Sequence, residues 1–293
     1  MQIAHDPGAL RPPFALNRHR GRFHVYITYS CKSFMPTKQD QRVVLELFGD
    51  DVPYTAENFR RLCCNEGVDG SGYKGSFVHH VTSETEVRGG RLGGALTTNA
   101  MGGLVLPLTG AGAGQSASAF GGRPFRDENF KLDHDVGTVS SVSVGGAHGS
   151  EFFVNMTEED DFLADRNNGE HVVFGRVVEG MQAVRDISAL MRSEAWTTMI
   201  QKKCLKGYQM SSGRPVDPVT ISDCGELEDY TPPQERGARS LAEGGLFKTK
   251  RRTQDQADKL MKKKIAKTSS IKALATSLSG KIASLGAIKE RPN

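Results

Sequence analysis

Hydrophobic and polar residues alternate along the first regular stretch of the chain. Phe23, Val25 and Ile27 recur at every second position, and the same period returns over 43–48. A two-residue period with one apolar face is typical of a half-buried strand. Related patterns predict further strands near 76–81, 86–90, 137–144, 151–156, 171–178 and 219–224.

Two segments of the body change to a helical period. In the run that begins at Pro53, the residues Ala56, Phe59 and Leu62 share one face, and a proline suits the first turn of a helix. A second helix is predicted over 180–192. Many short strands with only two helices predict a mainly β fold, a closed antiparallel barrel capped at its ends.

Four irregular segments surround or interrupt this body. We predict an N-terminal arm over 1–22 and a linker over 229–253, which contains several prolines and glycines. Residues 93–122, rich in glycine, and 193–211, which hold the single tryptophan, are predicted to be insertions. Loops this long are usually either functional or disordered.

The C-terminal residues 254–293 predict a basic, amphipathic helical tail. A helix over 254–267 carries the run Lys262, Lys263 and Lys264. Beyond it, apolar residues recur at steps of three and four, which is a helical stripe. They are Ile271, Leu274, Leu278, Ile282 and Leu285. Such a stripe stays exposed unless it packs on the barrel or a partner, so we expect it to bind one.

Composition and charge narrow the class of protein. The chain of 293 residues is 37% hydrophobic and 25% charged, which is ordinary for a folded globular protein. Residues 236–293 carry 15 basic and 4 acidic side chains, a net charge of +11, whereas the rest of the chain carries −7. An acidic body with a basic tail indicates that the tail meets acidic partners. No membrane span and no secretory leader are expected, since no long apolar run occurs.

The potential metal ligands do not form a site in the sequence. The five cysteines include no pair at CxxC spacing, so we expect reduced thiols. His79 and His80 are adjacent on a predicted strand and point to opposite faces, so they cannot share an ion with Glu84, Glu86 or His171. No metal and no cofactor are predicted.

Six runs of the chain resemble segments of the cyclophilin family, in the same order. They are VPYTAENFRRLC, YKGSFVHHV, GGRPFRDENF, GSEFFV, NNGEHVVFGRVVEGM and VTISDCGEL, and the resemblance covers about residues 23–228. It implies an eight-stranded antiparallel β-barrel closed by two α-helices. It also implies peptidyl-prolyl cis-trans isomerase activity.

That activity requires two devices. The Xaa–Pro bond resists rotation by about 18–20 kcal/mol, and a catalyst must favour the twisted amide. An apolar pocket that holds the proline ring and a fixed hydrogen-bond donor aimed at the amide achieve this. The resemblance implies an arginine as donor and a pocket of two phenylalanines, a methionine and a leucine, flanked by a histidine, a tryptophan and two glutamines.

Most of these positions are substituted in this sequence. His80 stands where the family has its arginine, Thr85 and Glu86 where it has Phe and Met, and Arg88 where it has a glutamine. The remaining pocket positions correspond to Val142, Ser143, Glu151, Phe153, Phe162, Leu163 and His171. A carboxylate at the mouth of an apolar pocket resists desolvation. We therefore expect the fold with weak or absent isomerase activity.

Three functions remain open at this point. The first is a structural or docking subunit of a large assembly, cytoplasmic or cytoskeletal rather than mitochondrial or nuclear, whose tail and insertions bind proteins. Its host would have an acidic surface, such as a tubulin-like lattice or RNA. The second is a working isomerase in which Arg88, oriented by Glu151, replaces the lost donor; the alternative is that Arg88 only forms an ion pair with Glu151 or Glu86. The third is a peptide-binding module that uses Glu86 and Glu151.

Overall fold

The structure is a computed structural model that describes most of the body and part of the tail. It describes residues 21–31, 41–82, 85–92, 116–157, 167–190, 218–231, 251–267 and 269, and the backbone of residues 97–98, 104–105 and 212–213. Residues 1–20 of the predicted N-terminal arm lie outside these residues, and Arg22 already belongs to the first strand. The predicted insertion 193–211 and the apolar stripe Ile271, Leu274, Leu278, Ile282 and Leu285 also lie outside them.

The described strands are mostly short, and the helices flank them. The strands are β1 (Arg22–Ser30), β2 (Gln41–Phe48), β3 (His80–Thr82), β4 (Glu86–Gly89), β5 (Thr97–Thr98), β6 (Leu104–Val105), β7 (Phe125–Arg126), β8 (Thr138–Ser141), β9 (Ala147–His148), β10 (Phe152–Asn155), β11 (Val173–Glu179), β12 (Ser212–Gly213) and β13 (Thr220–Leu227). The helices are α1 (Pro53–Cys63), α2 (Met181–Ala189) and α3 over residues 254–267. No helix in the described residues is long and apolar enough to span a membrane.

One antiparallel sheet forms the body of the protein. Its strand order is β12-β3-β4-β10-β8-β11-β2-β1-β13. The segment before β3 joins the two ends of this curled sheet, because Ile221 on β13 exchanges backbone hydrogen bonds with Gly75 and Ser76 at 2.8 and 2.9 Å, and the N–H of Val78 donates to Val219 at 2.9 Å. The predicted mainly β, cyclophilin-like fold is confirmed. The predicted strand near 76–81 is divided between this junction and β3.

Alternation along the strands places an aromatic core inside the sheet. The rings of Phe59, Tyr73, Phe152 and Phe174 are almost fully buried. The Phe59 ring lies within 4.9–5.0 Å, between centroids, of the other three rings. Since Phe59 is on α1, these contacts attach the helix to the barrel, and aromatic pairs at such distances add to the gain from burial.

The N-terminus of α1 is capped from a distant loop. Glu128 accepts hydrogen bonds from the backbone N–H groups of Tyr54 and Thr55 at 3.1 and 2.7 Å, and from the Thr55 hydroxyl at 2.6 Å. Val52, the residue before the helix, supplies no side-chain cap. A carboxylate is favourable there because the first N–H groups have no partner in the helix and carry partial positive charge.

Two predicted irregular segments contain ordered structure that their composition did not indicate. Within 93–122, β5 pairs with β6, and Ser116, Ser118, Ala119 and Phe120 are buried. The last residues of the predicted linker 229–253 also bind the body. Arg251 pairs with Asp51 at 2.5 Å, and the N–H of Arg252 donates to the carbonyl of Lys131 at 2.6 Å. Backbone pairing and specific ion pairs, which composition does not report, hold the described parts of both segments.

Candidate functional site

Strand register brings the substituted pocket residues into one row. His80 on β3 lies opposite Arg88 on β4, and Arg88 lies opposite Phe153 on β10. Residues directly opposite in antiparallel strands point to the same face of the sheet. The next row contains Glu86. The residues that the sequence placed at the donor and pocket positions are therefore neighbours.

Arg88 is held by the carboxylate beside it on the same face. Its Nε donates to Oε1 of Glu86 at 2.7 Å, and its guanidinium carbon lies 5.5 Å from the centroid of the Phe153 ring. Glu86 is only 5% exposed. The ion pair that was expected with either Glu151 or Glu86 is thus made with Glu86, and the guanidinium covers the ring that would hold a proline.

Glu151 has different partners. Its Oε1 lies 2.9 Å from Nε2 of His79, and its Oε2 lies 3.6 Å from Nε of Arg91. Burial alone would raise the pKa of Glu151, but the hydrogen bond from His79 and the nearby arginines lower it. Glu151 is therefore a charged carboxylate at neutral pH, and these contacts, not one with Arg88, fix its position.

The Phe153 ring is enclosed. It is 0% exposed. The imidazole of His134 stacks parallel to it at 5.7 Å between centroids, and His171 meets it edge-on at 5.2 Å. With Arg88 above it, the ring offers no accessible face to a proline in this conformation. His134, fully buried under the ring, was not singled out in the sequence.

His80 is a neutral side chain at the donor position. Burial, followed by the charge of Arg88, lowers the pKa of His80. Its Nε2 lies 3.3 Å from the hydroxyl of Thr82. A neutral imidazole lacks the fixed positive charge of an arginine. The residue cannot reproduce the electrostatic part of the expected donor.

Ser143 and His171 form the other end of the cleft. The backbone N–H of Ser143 donates to Nδ1 of His171 at 3.1 Å. Burial, and then the electrostatic interactions with His134 and Arg88, hold the pKa of His171 well below its ordinary value, so Nδ1 remains an acceptor. Val142 beside them is buried. Thr85 is buried in the turn between β3 and β4, where its N–H donates to the carbonyl of Thr82 at 3.0 Å.

The remaining predicted pocket residues, Phe162 and Leu163, lie outside the described residues. Within the described part of the chain, no group of three or more His, Cys, Asp or Glu side chains is placed to hold a metal ion.

Lys264 corrects a prediction about the tail. It was expected to bind a partner with Lys262 and Lys263, but it is only 6% exposed and binds the barrel, while its two neighbours are exposed. Its Nζ donates to Oδ2 of Asp127 at 2.8 Å and to Oγ of Ser143 at 3.0 Å. Helix α3 thus reaches a residue of the cleft. The spacing of Ala257, Leu260, Met261 and Lys264 on one helical face was the available signal.

Comparison with known families agrees with this architecture. The family model described as cyclophilin type peptidyl-prolyl cis-trans isomerase/CLD matches residues 34–226. The match covers well over half of the chain and includes the strands that carry the cleft. The chain therefore belongs to the cyclophilin-type peptidyl-prolyl cis-trans isomerase family.

Proposed function

We propose that this cyclophilin-type protein has weak or no prolyl isomerase activity and acts as a docking subunit of a larger assembly. One observation carries the first part. The guanidinium of Arg88 is bound to Glu86 above a fully buried Phe153, and the position of the family's arginine is the neutral His80. The cleft therefore offers a substrate neither a free cationic donor nor an exposed face of Phe153.

The energetic cost of recruiting Arg88 supports this proposal. To act on a bound amide, Arg88 would have to give up its hydrogen bond to Glu86 and donate to the substrate instead. A hydrogen bond between charged groups contributes about 1.5–3 kcal/mol, which corresponds to a tenfold to hundredfold loss of rate at about 1.4 kcal/mol per factor of ten. Glu86 would then be left unpaired beside an apolar ring, which costs more.

The docking role is supported by the tail and by the outer side of α3. Lys262 and Lys263 are exposed, and Ile265 is 57% exposed although it is a large apolar residue. The composition of 236–293 is strongly basic as well. Basic and apolar groups side by side fit an acidic protein or nucleic-acid partner, of which a cytoskeletal lattice and a ribonucleoprotein are the two candidates.

A working isomerase is the second candidate function, and the position of Arg88 favours it. The guanidinium lies in the same row as Phe153, next to where a substrate amide would lie. The peptide-binding alternative is less favoured, because Glu86 and Glu151 already have cationic partners within the chain.

Exchange NMR on a short Xaa–Pro peptide tests the catalytic part. Uncatalysed isomerisation takes tens to hundreds of seconds, so slow catalysis by the folded full chain is measurable. We expect weak acceleration or none. Strong acceleration that disappears in Arg88→Ala would replace our proposal with the working isomerase.

Co-sedimentation tests the docking part. The full chain is mixed with microtubules or with RNA, and the reversal Lys262→Glu/Lys263→Glu is compared with Arg123→Glu/Arg185→Glu, an equal charge change at exposed positions of the barrel. Loss of binding only in the first variant is expected. Binding to RNA should weaken steeply with salt. Equal loss in both variants would show nonspecific attraction, and no binding to either target would exclude both hosts.

A further inference from the structure

Helix α3 packs on the barrel through one face. Ala257 is 1% exposed, and Leu260 and Met261 pack against the hydrophobic core. Leu260 lies against Gly169, where a Cβ would be 3.1 Å from its Cδ2 and the backbone has φ of +78°. The fourth residue of this face, one turn further on, is Lys264. A lysine thus occupies a position where an amphipathic helix would normally present an apolar residue.

A cage of matched acceptors surrounds the Lys264 ammonium group. Nζ donates to Asp127 Oδ2, to Ser143 Oγ and to the backbone carbonyl of Glu170. It also lies 5.0 Å from the centroid of the Phe130 ring, a distance at which a cation and an aromatic face attract. An ammonium group has three N–H donors and no acceptor, so three acceptors satisfy it completely.

The cage is built to hold a charge. Ser143 Oγ donates its own proton to Asp127 Oδ2 at 2.8 Å, which leaves its lone pairs for Lys264. The other oxygen of Asp127 lies 2.8 Å from Nδ1 of His148. Burial alone would raise the pKa of Asp127, but the His148 hydrogen bond and the charge of Lys264 lower it to about 2. The carboxylate is therefore ionised under all ordinary conditions.

The cage adjoins the cleft, because Ser143 belongs to both. Its side chain contacts Lys264 and its backbone N–H binds His171, whose ring contacts Phe153. We propose that this cage is a lysine-specific binding subsite at the His171 end of the cleft. In the chain alone, Lys264 of α3 occupies it, and a partner's lysine side chain occupies it when α3 leaves. This assignment does not depend on whether the domain catalyses isomerisation.

A small ammonium probe tests the subsite in the full chain. Lys264→Ala removes the occupant, and n-butylammonium, which has the four carbons and the ammonium group of a whole lysine side chain, serves as the probe. We expect saturable binding of n-butylammonium by NMR titration to Lys264→Ala. Binding to wild type and to Lys263→Ala, the exposed neighbour, should be much weaker, because Lys264 competes for the cage in both. A planar guanidinium does not match three converging acceptors. We expect n-butylguanidinium to bind at least about tenfold more weakly than n-butylammonium, because it loses one charged hydrogen bond. A folded Lys264→Ala protein that binds no n-butylammonium, or binds it no better than Lys263→Ala does, would overturn the proposal.

A second experiment needs no variant, so it tests the lysine subsite even if Lys264→Ala does not fold. Amide hydrogen exchange of residues 257–264 is measured in wild type with n-butylammonium or with tetramethylammonium, which has the same charge but no N–H donor. Competition for the cage predicts faster exchange of α3 with n-butylammonium alone. An equal effect of the two cations, or no effect of either, would overturn the subsite.

Discussion

Protonation of His134 should destabilise the protein in mild acid. The imidazole is fully buried, with Nδ1 2.9 Å from Oδ1 of Asn168 and no partner for Nε2. Burial, only partly offset by the Asn168 hydrogen bond, lowers the pKa of His134 from its usual 6.5 to about 4. A second proton would place a charge on Nε2, which has no hydrogen-bond partner.

The sign and size of the effect follow from linkage. Between about pH 6.5 and about pH 4 the unfolded chain binds a proton at residue 134 and the folded protein does not, so the stability falls as the pH falls. At about 1.4 kcal/mol for each unit of pKa difference, the full loss is about 3 kcal/mol. About 2 kcal/mol of it occurs between about pH 7 and about pH 5.

Urea unfolding of wild type and His134→Asn at these two pH values measures how much His134 contributes to the loss of unfolding free energy. Asparagine retains a donor near the place of Nδ1–H but does not titrate. The variant is less stable overall, yet its stability should fall by about 2 kcal/mol less than that of wild type. Removing His134 also relieves its effect on the pKa of His171, which lessens the fall in the same direction. His24→Asn, on the half-buried β1 residue whose pKa is also lowered mainly by burial, serves as the control and should change the fall less. An equal fall in wild type and His134→Asn would refute the reasoning.

Three further predictions follow from the contacts. Arg60→Leu should cost about 3 kcal/mol in urea unfolding, since buried Arg60 pairs with Glu57 and two more glutamates; the more exposed Arg61→Leu should cost below about 1 kcal/mol, and equal losses would contradict this. Glu128→Ala should cost about 2 kcal/mol because three donors at the start of α1 lose their acceptor; an unchanged melting curve would contradict it. Cyclosporin-type ligands should bind poorly in calorimetry because Glu86 and Arg88 cover the apolar floor; tight binding would show that the floor opens.

The sequence predicted the elements well where periodicity decides them. The two-residue period located β1 and β2, and the helical period with its leading proline located α1 at Pro53. The tail helix was predicted at 254–267, where it is observed. These elements depend on local patterns of burial, which a single sequence records.

The contacts of the site could not be predicted in the same way. The sequence left Arg88 with two possible carboxylate partners, and only strand register and side-chain placement select Glu86. Lys264 stands in a run of three lysines, so composition cannot distinguish it from its exposed neighbours. The sequence did not indicate a role for His134, because a lone histidine is not part of a motif or a periodic pattern. Each depends on residues distant in sequence, which only the folded chain brings together.

The most direct test of the account compares two proteins in one exchange NMR experiment on an Xaa–Pro peptide. One is the wild-type chain. The other carries His80→Arg, Thr85→Phe, Glu86→Met and Arg88→Gln, which restores four of the residues that the family resemblance implies. We predict weak acceleration or none by wild type and clear acceleration by the restored variant. Acceleration by wild type that equals that of the restored variant would contradict the proposal that the substituted cleft has weak or no isomerase activity.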